Sequence, residues 1–331
     1  MMYSSIESYG NYTIDFSNYC LIRPFDYMHS LSTKTLPLKK IQASDLPSEG
    51  SWVKVKRGNI YYRWYKSETT ARQREVMVMV HGFSTPSFVW KGLIKKLTSH
   101  GIDLLVYDHF GRGWSERPFT NYDKELYVET LKELIESQDI DSPVHLVGYS
   151  MGGPIIGHFA NDNPKMVKST TFLAPAGFRI TASGINSWST YPLIGEWFWH
   201  VFSDKIYGVG RMSETSYSDD PLSINEEEFL YNFNKQLAFK GFTESLLSTV
   251  RNFNLFDVRE MYTSLGEKNI PSLAIWGTKD GVVPYDGSNQ LIKCIPHCKL
   301  VTIEEGTHDI TYRQPTDVGD ALINFLIKIE D

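Results

Sequence analysis

Pro143-Val144-His145-Leu146-Val147-Gly148-Tyr149-Ser150-Met151-Gly152-Gly153-Pro154-Ile155-Ile156-Gly157 is the stretch that decides how this chain folds. Pro143 to Val147 has the length and branched composition of a buried strand, and Gly153 to Gly157 reads as the first turns of a helix. Between them, Gly148-Tyr149-Ser150-Met151-Gly152 seats a serine between two glycines. So sharp a strand-to-helix turn pushes its central residue toward strained backbone and needs tiny neighbours on both sides. The serine hydroxyl is thereby lifted clear of the backbone at the head of the helix. Chance alone supplies such a pattern in about one chain in ten of this size, with glycine at about 7% of residues. Its weight rests on whether the rest of the chain supplies what the serine needs.

Strand-like and helix-like segments alternate on either side. Val76 to Val80 is a continuous apolar strand, followed by a helix around Phe88 to Ser99. Ile102 to Tyr107 is a second strand, with the glycine-rich exit Asp108-His109-Phe110-Gly111-Arg112-Gly113. A helix is predicted over about Asn121 to Ser137, with Tyr127, Leu131, Leu134 and Ile135 on one face and Thr120 as its N-cap. Ser169 to Ala174, Pro271 to Trp276 and Lys299 to Ile303 read as further strands, and Thr316 to Lys328 as a last helix. Upstream, Trp52 to Lys56 and Ile60 to Trp64 alternate as a hairpin about Arg57-Gly58-Asn59. This pattern predicts an α/β fold, a mostly parallel sheet with helices on both faces. The alternation breaks from 177 to 266. There, seven of the twenty residues from Trp188 to Tyr207 are aromatic, against 14% overall. The expected organisation is an N-terminal extension (1–45), a core (46–176 and 267–331) and a helical cap (177–266) inserted late in the sheet.

Composition excludes several classes of function. The 331 residues are 41% hydrophobic and 22% charged, with a net charge of −6 and no long run of like charges. No nucleic-acid partner is expected. No stretch approaches the roughly 18 apolar residues of a spanning helix; Leu193 to Phe202 comes nearest, and Glu196 and His200 interrupt it. The first residues lack a basic leader and an apolar core, and the three cysteines, Cys20, Cys294 and Cys298, read as reduced thiols. A cytoplasmic location is therefore expected, with export by a non-standard route left open. Cys294 and Cys298 flank Pro296 and His297 but complete no four-ligand zinc set, so no metal is expected.

A serine hydroxyl is a weak nucleophile that needs a base, and the base needs an orienting carboxylate. In a parallel sheet these partners sit on loops at the carboxyl ends of strands. Asp280, in Trp276-Gly277-Thr278-Lys279-Asp280, lies just beyond one late strand, and His308, in Glu305-Gly306-Thr307-His308, just beyond the last. The order is Ser, Asp, His. These motifs, with His81-Gly82-Phe83-Ser84 and Asp108 to Gly113, make the chain resemble the α/β-hydrolase family from about Trp52 onward. The resemblance implies Ser150 as nucleophile, His308 as general base and Asp280 as its orienter. It also implies an oxyanion hole from the backbone N–H groups of Phe83 and Met151. Ser84 departs from the family's His-Gly-x-Gly loop, which ends in glycine. Asp108 is expected to tie down its own turn, His81 and His109 to support the oxyanion loop, and Asp309 to be solvated or structural.

Within the family, haloalkane dehalogenases and epoxide hydrolases carry aspartate at the elbow, so Ser150 argues against both. The loop at Phe83 and the Gly-Tyr-Ser-Met-Gly-Gly run most resemble monoacylglycerol-lipase-like and carboxylesterase branches. The resemblance implies a serine hydrolase of carboxylic esters of apolar acyl chains (monoacylglycerol, lysophospholipid or a similar lipid) that needs no cofactor. Trp188, Trp197, Phe198 and Phe202 are the candidate acyl-binding residues, with peripheral contact to lipid surfaces as a second use and simple cap packing as the alternative. A carbon–carbon bond hydrolase or a small-ester esterase would use the same triad. A catalytically silent fold that binds a ligand or partner is the alternative of a different class.

Overall fold

The computed structural model describes residues 6–9, 12–15, 41–67, 75–178, 191–192, 194–201 and 218–330. A short antiparallel hairpin, β1 (Ile6–Tyr9) and β2 (Tyr12–Asp15), forms a two-stranded sheet of its own. The main sheet comprises β3 (Ser51–Val55), β4 (Gly58–Tyr65), β5 (Glu75–Val80), β6 (Ile102–Tyr107), β7 (Val144–Tyr149), β8 (Val167–Leu173), β9 (Ser272–Gly277) and β10 (Lys299–Ile303). Its order is β10-β9-β8-β7-β5-β6-β4-β3. From β10 to β6 every neighbour is parallel, and the hairpin β3–β4 closes the other edge antiparallel.

Side chains alternate between the two faces of each central strand, and both faces are apolar. Val78, Val80, Leu105, Tyr107, Leu146, Ala274 and Trp276 enter one core cluster; Met77, Met79, Leu104, Val106, Val147, Leu273 and Ile275 enter the other. The first face is covered by α2 (Lys124–Glu136), α3 (Gly152–Asp162), α7 (Arg259–Gly266) and α8 (Asp286–Cys294). The second is covered by α1 (Lys91–Thr98), the short α9 (Ile310–Arg313) and α10 (Pro315–Glu330). Between β8 and β9, α4 (Ile194–Val201), α5 (Glu226–Leu237) and α6 (Phe242–Asn252) precede α7. These three bury Trp199, Phe229, Phe233, Phe242 and Leu246 in the same cluster as the second face.

The strand order reverses direction at β5, whose neighbours are β6 and β7. Crossovers leave this point in opposite directions, which opens a crevice at the carboxyl ends of β5 and β7. The loop at Phe83 follows the first and Ser150 the second. The topology therefore delivers both motifs to one place.

Two local expectations are corrected. The helix α2 starts at Lys124, and its cap is Asp123, whose Oδ1 accepts from the Leu126 N–H at 2.9 Å. Thr120 instead accepts from Arg57 Nη1 at 3.0 Å, so it fastens the preceding turn to the hairpin. In that hairpin Val55 pairs with Gly58, which leaves Lys56-Arg57 as the turn and puts Gly58 at a φ of 147°. Cys20, Trp188 and Phe202 lie outside the described residues, as does most of the 1–45 segment. Among the described residues no helix is long and apolar enough to cross a membrane, and no cluster of His, Cys, Asp or Glu has the makings of a metal site.

Candidate active site

Ser150 sits at a φ of 51°, in the left-handed region that a residue with a side chain rarely adopts. The turn is held from both sides. The Ser150 N–H donates to the Leu173 carbonyl at 2.9 Å, and its own carbonyl accepts from Gly153 at 3.0 Å and Ala176 at 3.1 Å. The glycines are a steric need: a Cβ at Gly152 would lie 2.1 Å from the Val80 carbonyl oxygen, and one at Gly148 would lie 2.4 Å from that of Gly152. The helix α3 can therefore pass directly over β5 and β7, with its amino end beneath the serine.

The loops after β9 and β10 are joined before they deliver their side chains. Lys279 N–H donates to the Gly306 carbonyl at 2.8 Å and Thr278 N–H to the Ile303 carbonyl at 3.1 Å. Gly277 and Gly306 touch so closely that a Cβ at Gly277 would lie 2.2 Å from the Gly306 oxygen. Trp276 Nε1 holds the far side of the same loop through the Val283 carbonyl at 2.9 Å. This closeness brings Asp280 Oδ2 to 2.8 Å from His308 Nδ1, and His308 Nε2 to 3.0 Å from Ser150 Oγ. The other carboxylate oxygen of Asp280 accepts from the Val282 and Val283 amides at 2.8 and 2.7 Å, and the residue is buried. A carboxylate so bound accepts the Nδ1 proton, which leaves Nε2 as the lone-pair nitrogen facing Oγ. The ring of Tyr149 stands 5.2 Å from that of His308 and backs it on one side.

The loop after β5 is set by two histidines. His81 Nε2 accepts from the His109 N–H at 3.0 Å, so its proton is on Nδ1, which donates to the Gly82 carbonyl at 2.9 Å. The Gly82 carbonyl and the Phe83 N–H belong to one trans peptide and point in opposite directions, so this bond also aims the N–H. His109 Nε2 returns a bond to the His81 carbonyl at 3.0 Å. Burial drives His81 well below the usual histidine range and His109 down to about 3, with the Arg112 charge adding to the second. Both rings are neutral donors and acceptors at ordinary pH. Among the described residues, the N–H groups of Phe83 and Met151 donate to no backbone carbonyl. Gly82 lies against Ser150, where a Cβ would come 3.4 Å from the serine Cβ.

The remaining polar groups of these motifs are structural. Asp108 accepts from the Ser87 and Trp114 amides at 2.8 and 2.9 Å, and burial raises its carboxyl. Asp309 accepts from Thr307 and pairs with Arg313 at 3.4 Å. Trp197 and Phe198 fall within α4. A neighbour of theirs escaped sequence reasoning. Trp199 is buried and meets the Phe83 ring edge-on at 6.5 Å, but a Trp-Phe-Trp run gives no sign of which ring turns inward. Arg112 was also missed. It is fully buried and donates from Nε to the Phe83 carbonyl at 2.9 Å.

Known proteins share this architecture. The family model described as "Serine aminopeptidase, S33" matches residues 71–314. Monoacylglycerol lipase ABHD6 of Homo sapiens is 22% identical over 269 residues, covering 77% of this chain and 76% of that protein. The 2-hydroxy-6-oxononadienedioate/2-hydroxy-6-oxononatrienedioate hydrolase of Cupriavidus pinatubonensis is 26% identical over 297 residues, covering 86% of this chain and 98% of that one. Among solved structures, the bromoperoxidase of Bacillus anthracis superposes with a TM-score of 0.68 at 20% identity, over 84% of this chain and 99% of that one. With a family model spanning most of its length, the chain belongs to the serine aminopeptidase S33 family, and it is a serine hydrolase with the α/β-hydrolase fold.

Proposed function

We propose that the protein hydrolyses carboxylic esters of apolar acyl groups, of the monoacylglycerol or lysophospholipid kind, through an acyl-enzyme on Ser150. Ser150 Oγ attacks the ester carbonyl carbon while His308 Nε2 takes its proton. The oxyanion faces the N–H groups of Phe83 and Met151. Collapse breaks the carbon–oxygen bond, and His308 returns the proton to the departing alcohol. A water then gives a proton to His308 and attacks the acyl carbon, which releases the acid and restores the serine. Asp280 holds the ring and stabilises its charged form. These steps call on no metal or organic cofactor.

The observation that carries this reading is the unbroken contact from Asp280 through His308 to Ser150, at 2.8 and 3.0 Å. The apolar acyl preference is supported by Trp199 and Phe83 at the mouth of the oxyanion loop and by the similarity to a monoacylglycerol lipase. In this reading residues 177–266, apart from α7 on the first face of the sheet, form the cap over the serine, and Trp188, Trp197, Phe198 and Phe202 add to its acyl-binding wall. Tyr191 and Ile194, exposed at the start of α4, are the candidate contact with a lipid surface, reached from the cytoplasm. A second reading, cleavage of a carbon–carbon bond in a 2-hydroxy-6-oxo acid, is favoured by the long match to the Cupriavidus hydrolase.

A fluorophosphonate probe is expected to label the wild type and not Ser150→Ala, and Ser150→Ala or His308→Ala should lower kcat by about 10⁶. On a series of p-nitrophenyl esters, kcat/KM should climb up to about fourfold per methylene, the equivalent of about 0.8 kcal/mol for each CH₂ buried. A flat profile or a preference for acetate would leave a small-ester hydrolase. Faster turnover of a 2-hydroxy-6-oxo dienoate than of any ester would establish the second reading.

A further inference from the structure

Arg112 is an unusual residue to find fully buried behind an oxyanion loop. It lies between Gly111 and Gly113, whose φ values of 82° and 51° let the chain double back around it. Its guanidinium reaches in three directions. Nε donates to the Phe83 carbonyl at 2.9 Å, Nη1 to the Phe110 carbonyl at 3.2 Å and Nη2 to Thr249 Oγ1 at 2.9 Å. The rings of Phe83, Tyr122 and Tyr127 stand 5.6, 5.8 and 5.9 Å from its Cζ. Neutral oxygens and ring faces thus surround a buried cation, an arrangement that costs stability unless its donors are well used.

Thr249 belongs to α6, which is fastened along this turn. Thr249 Oγ1 donates to the Ser245 carbonyl at 2.8 Å and meets the Tyr127 hydroxyl at 2.6 Å. Ser245 Oγ reaches the Gly111 carbonyl at 3.2 Å, and Ser248 Oγ accepts from the Tyr122 N–H at 3.1 Å. Arg251 of α6 grips Glu196 of α4 with two bonds, at 2.6 and 3.1 Å, and α4 carries the Trp199 ring that meets Phe83. Phe83 is therefore reached from these two helices at two points. Its carbonyl is reached through Thr249 and Arg112, and its ring through Trp199.

We propose that Arg112 is a positioning residue that couples the oxyanion amide of Phe83 to the placement of α6. The Phe83 N–H lies between two carbonyls, one held by His81 and the other by Arg112. With both fixed the amide cannot rotate away from the serine. With α6 displaced, Nη2 loses its acceptor, the guanidinium swings and the second anchor slackens. The oxyanion hole then reaches full strength only when α6 is seated. This inference rests on the reading of Phe83 as an oxyanion donor.

Four variants test it. Thr249→Val keeps the side-chain shape and removes the acceptor of Nη2, whereas Thr249→Ser keeps the hydroxyl. Tyr127→Phe removes the hydroxyl that meets the same oxygen and also touches the guanidinium, but leaves the bond from Nη2 to Thr249 in place. Arg112→Lys keeps the charge but loses the planar fork. Thr249→Val and Arg112→Lys are expected to lower kcat by about tenfold, below the 10² to 10³ for deleting a whole donor. KM should stay within about twofold, because the interaction serves the transition state. Thr249→Ser and Tyr127→Phe should keep wild-type kcat, although Tyr127→Phe should lower the melting temperature as much as Thr249→Val. A kcat for Thr249→Val equal to that of Tyr127→Phe, or a loss expressed in KM, would overturn the proposal. If Arg112→Lys does not fold, the Thr249 and Tyr127 variants decide alone. Turnover surviving in Ser150→Ala would remove the functional reading and this inference with it. A dead Ser150→Ala beside a fully active Thr249→Val would remove the inference only.

Discussion

A methyl group added at Gly152 would meet the Val80 carbonyl oxygen at 2.1 Å, and one at Gly148 would meet the Gly152 oxygen at 2.4 Å. Both obstacles are main chain in packed strands and helices, so neither can swing aside. Alanine at either position is expected to cost about 3 kcal/mol, the upper end for overpacking, read as a lower urea midpoint. Gly281→Ala is the matching control. Nothing lies within 4 Å of its added carbon, and the change should stay within about 0.5 kcal/mol. Residues that the structure brings together in the candidate site were legible in the sequence where a strand end announces them, as for Ser150, Asp280 and His308. Arg112 was not, because a bond to a carbonyl leaves no mark on residue type and its other partner, Thr249, is 137 positions away. The touching pair Gly277 and Gly306 stood in plain view in two motifs. Only the parallel pairing of β9 with β10 shows that each glycine exists for the other.

The strands were readable to within about two residues at each end, because burial on both faces of the central ones demands continuous apolar runs that few other structures tolerate. Helix starts were less so. Thr120 and Asp123 both suit an N-cap, and the choice between them depends on Arg57, which takes Thr120 away to the hairpin turn. Asp123→Ala is expected to destabilise the protein by about 1 kcal/mol through α2, whereas Thr120→Ala should leave that helix intact. Thermal denaturation followed by circular dichroism separates the two, with a drop of about 2 °C expected for Asp123→Ala in a chain of this length. The helices between β8 and β9 were the least legible elements. Phe229 of α5 is buried against Phe88 and Tyr312, α7 packs on the opposite face of the sheet, and a local period cannot name such partners.

Three central strands are tied at the amino edge of the sheet by polar groups the site does not use. His145 of β7 bonds Ser169 of β8 at 2.7 Å and Glu75 of β5 at 2.9 Å, and Lys168 reaches Glu75 at 2.6 Å. The His145 bond and then Lys168 hold the Glu75 carboxyl down, from the usual 4.5 to about 2. A carboxyl depressed in the folded state stabilises it fully above the ordinary range, and that stabilisation is lost as pH falls toward the folded value. Between pH 5 and 2 the wild type should therefore lose more unfolding free energy than Glu75→Gln, measured by urea titration at each pH. Equal slopes would show that the tie contributes nothing. The fold as a whole was legible because alternation of strand and helix allows few topologies. The edge-to-edge order was not, since sequence carries no direct sign of which strands pair. That order has a kinetic consequence. His308 stands 158 positions from Ser150, and it arrives only after β10 has docked on β9. Contacts this distant in sequence close slowly, because loop entropy is lost before they form. A refolding or newly made chain will therefore hold an exposed elbow serine with no histidine beside it. Recovery of hydrolase activity will report the docking of the last strand, while earlier folding steps pass in silence.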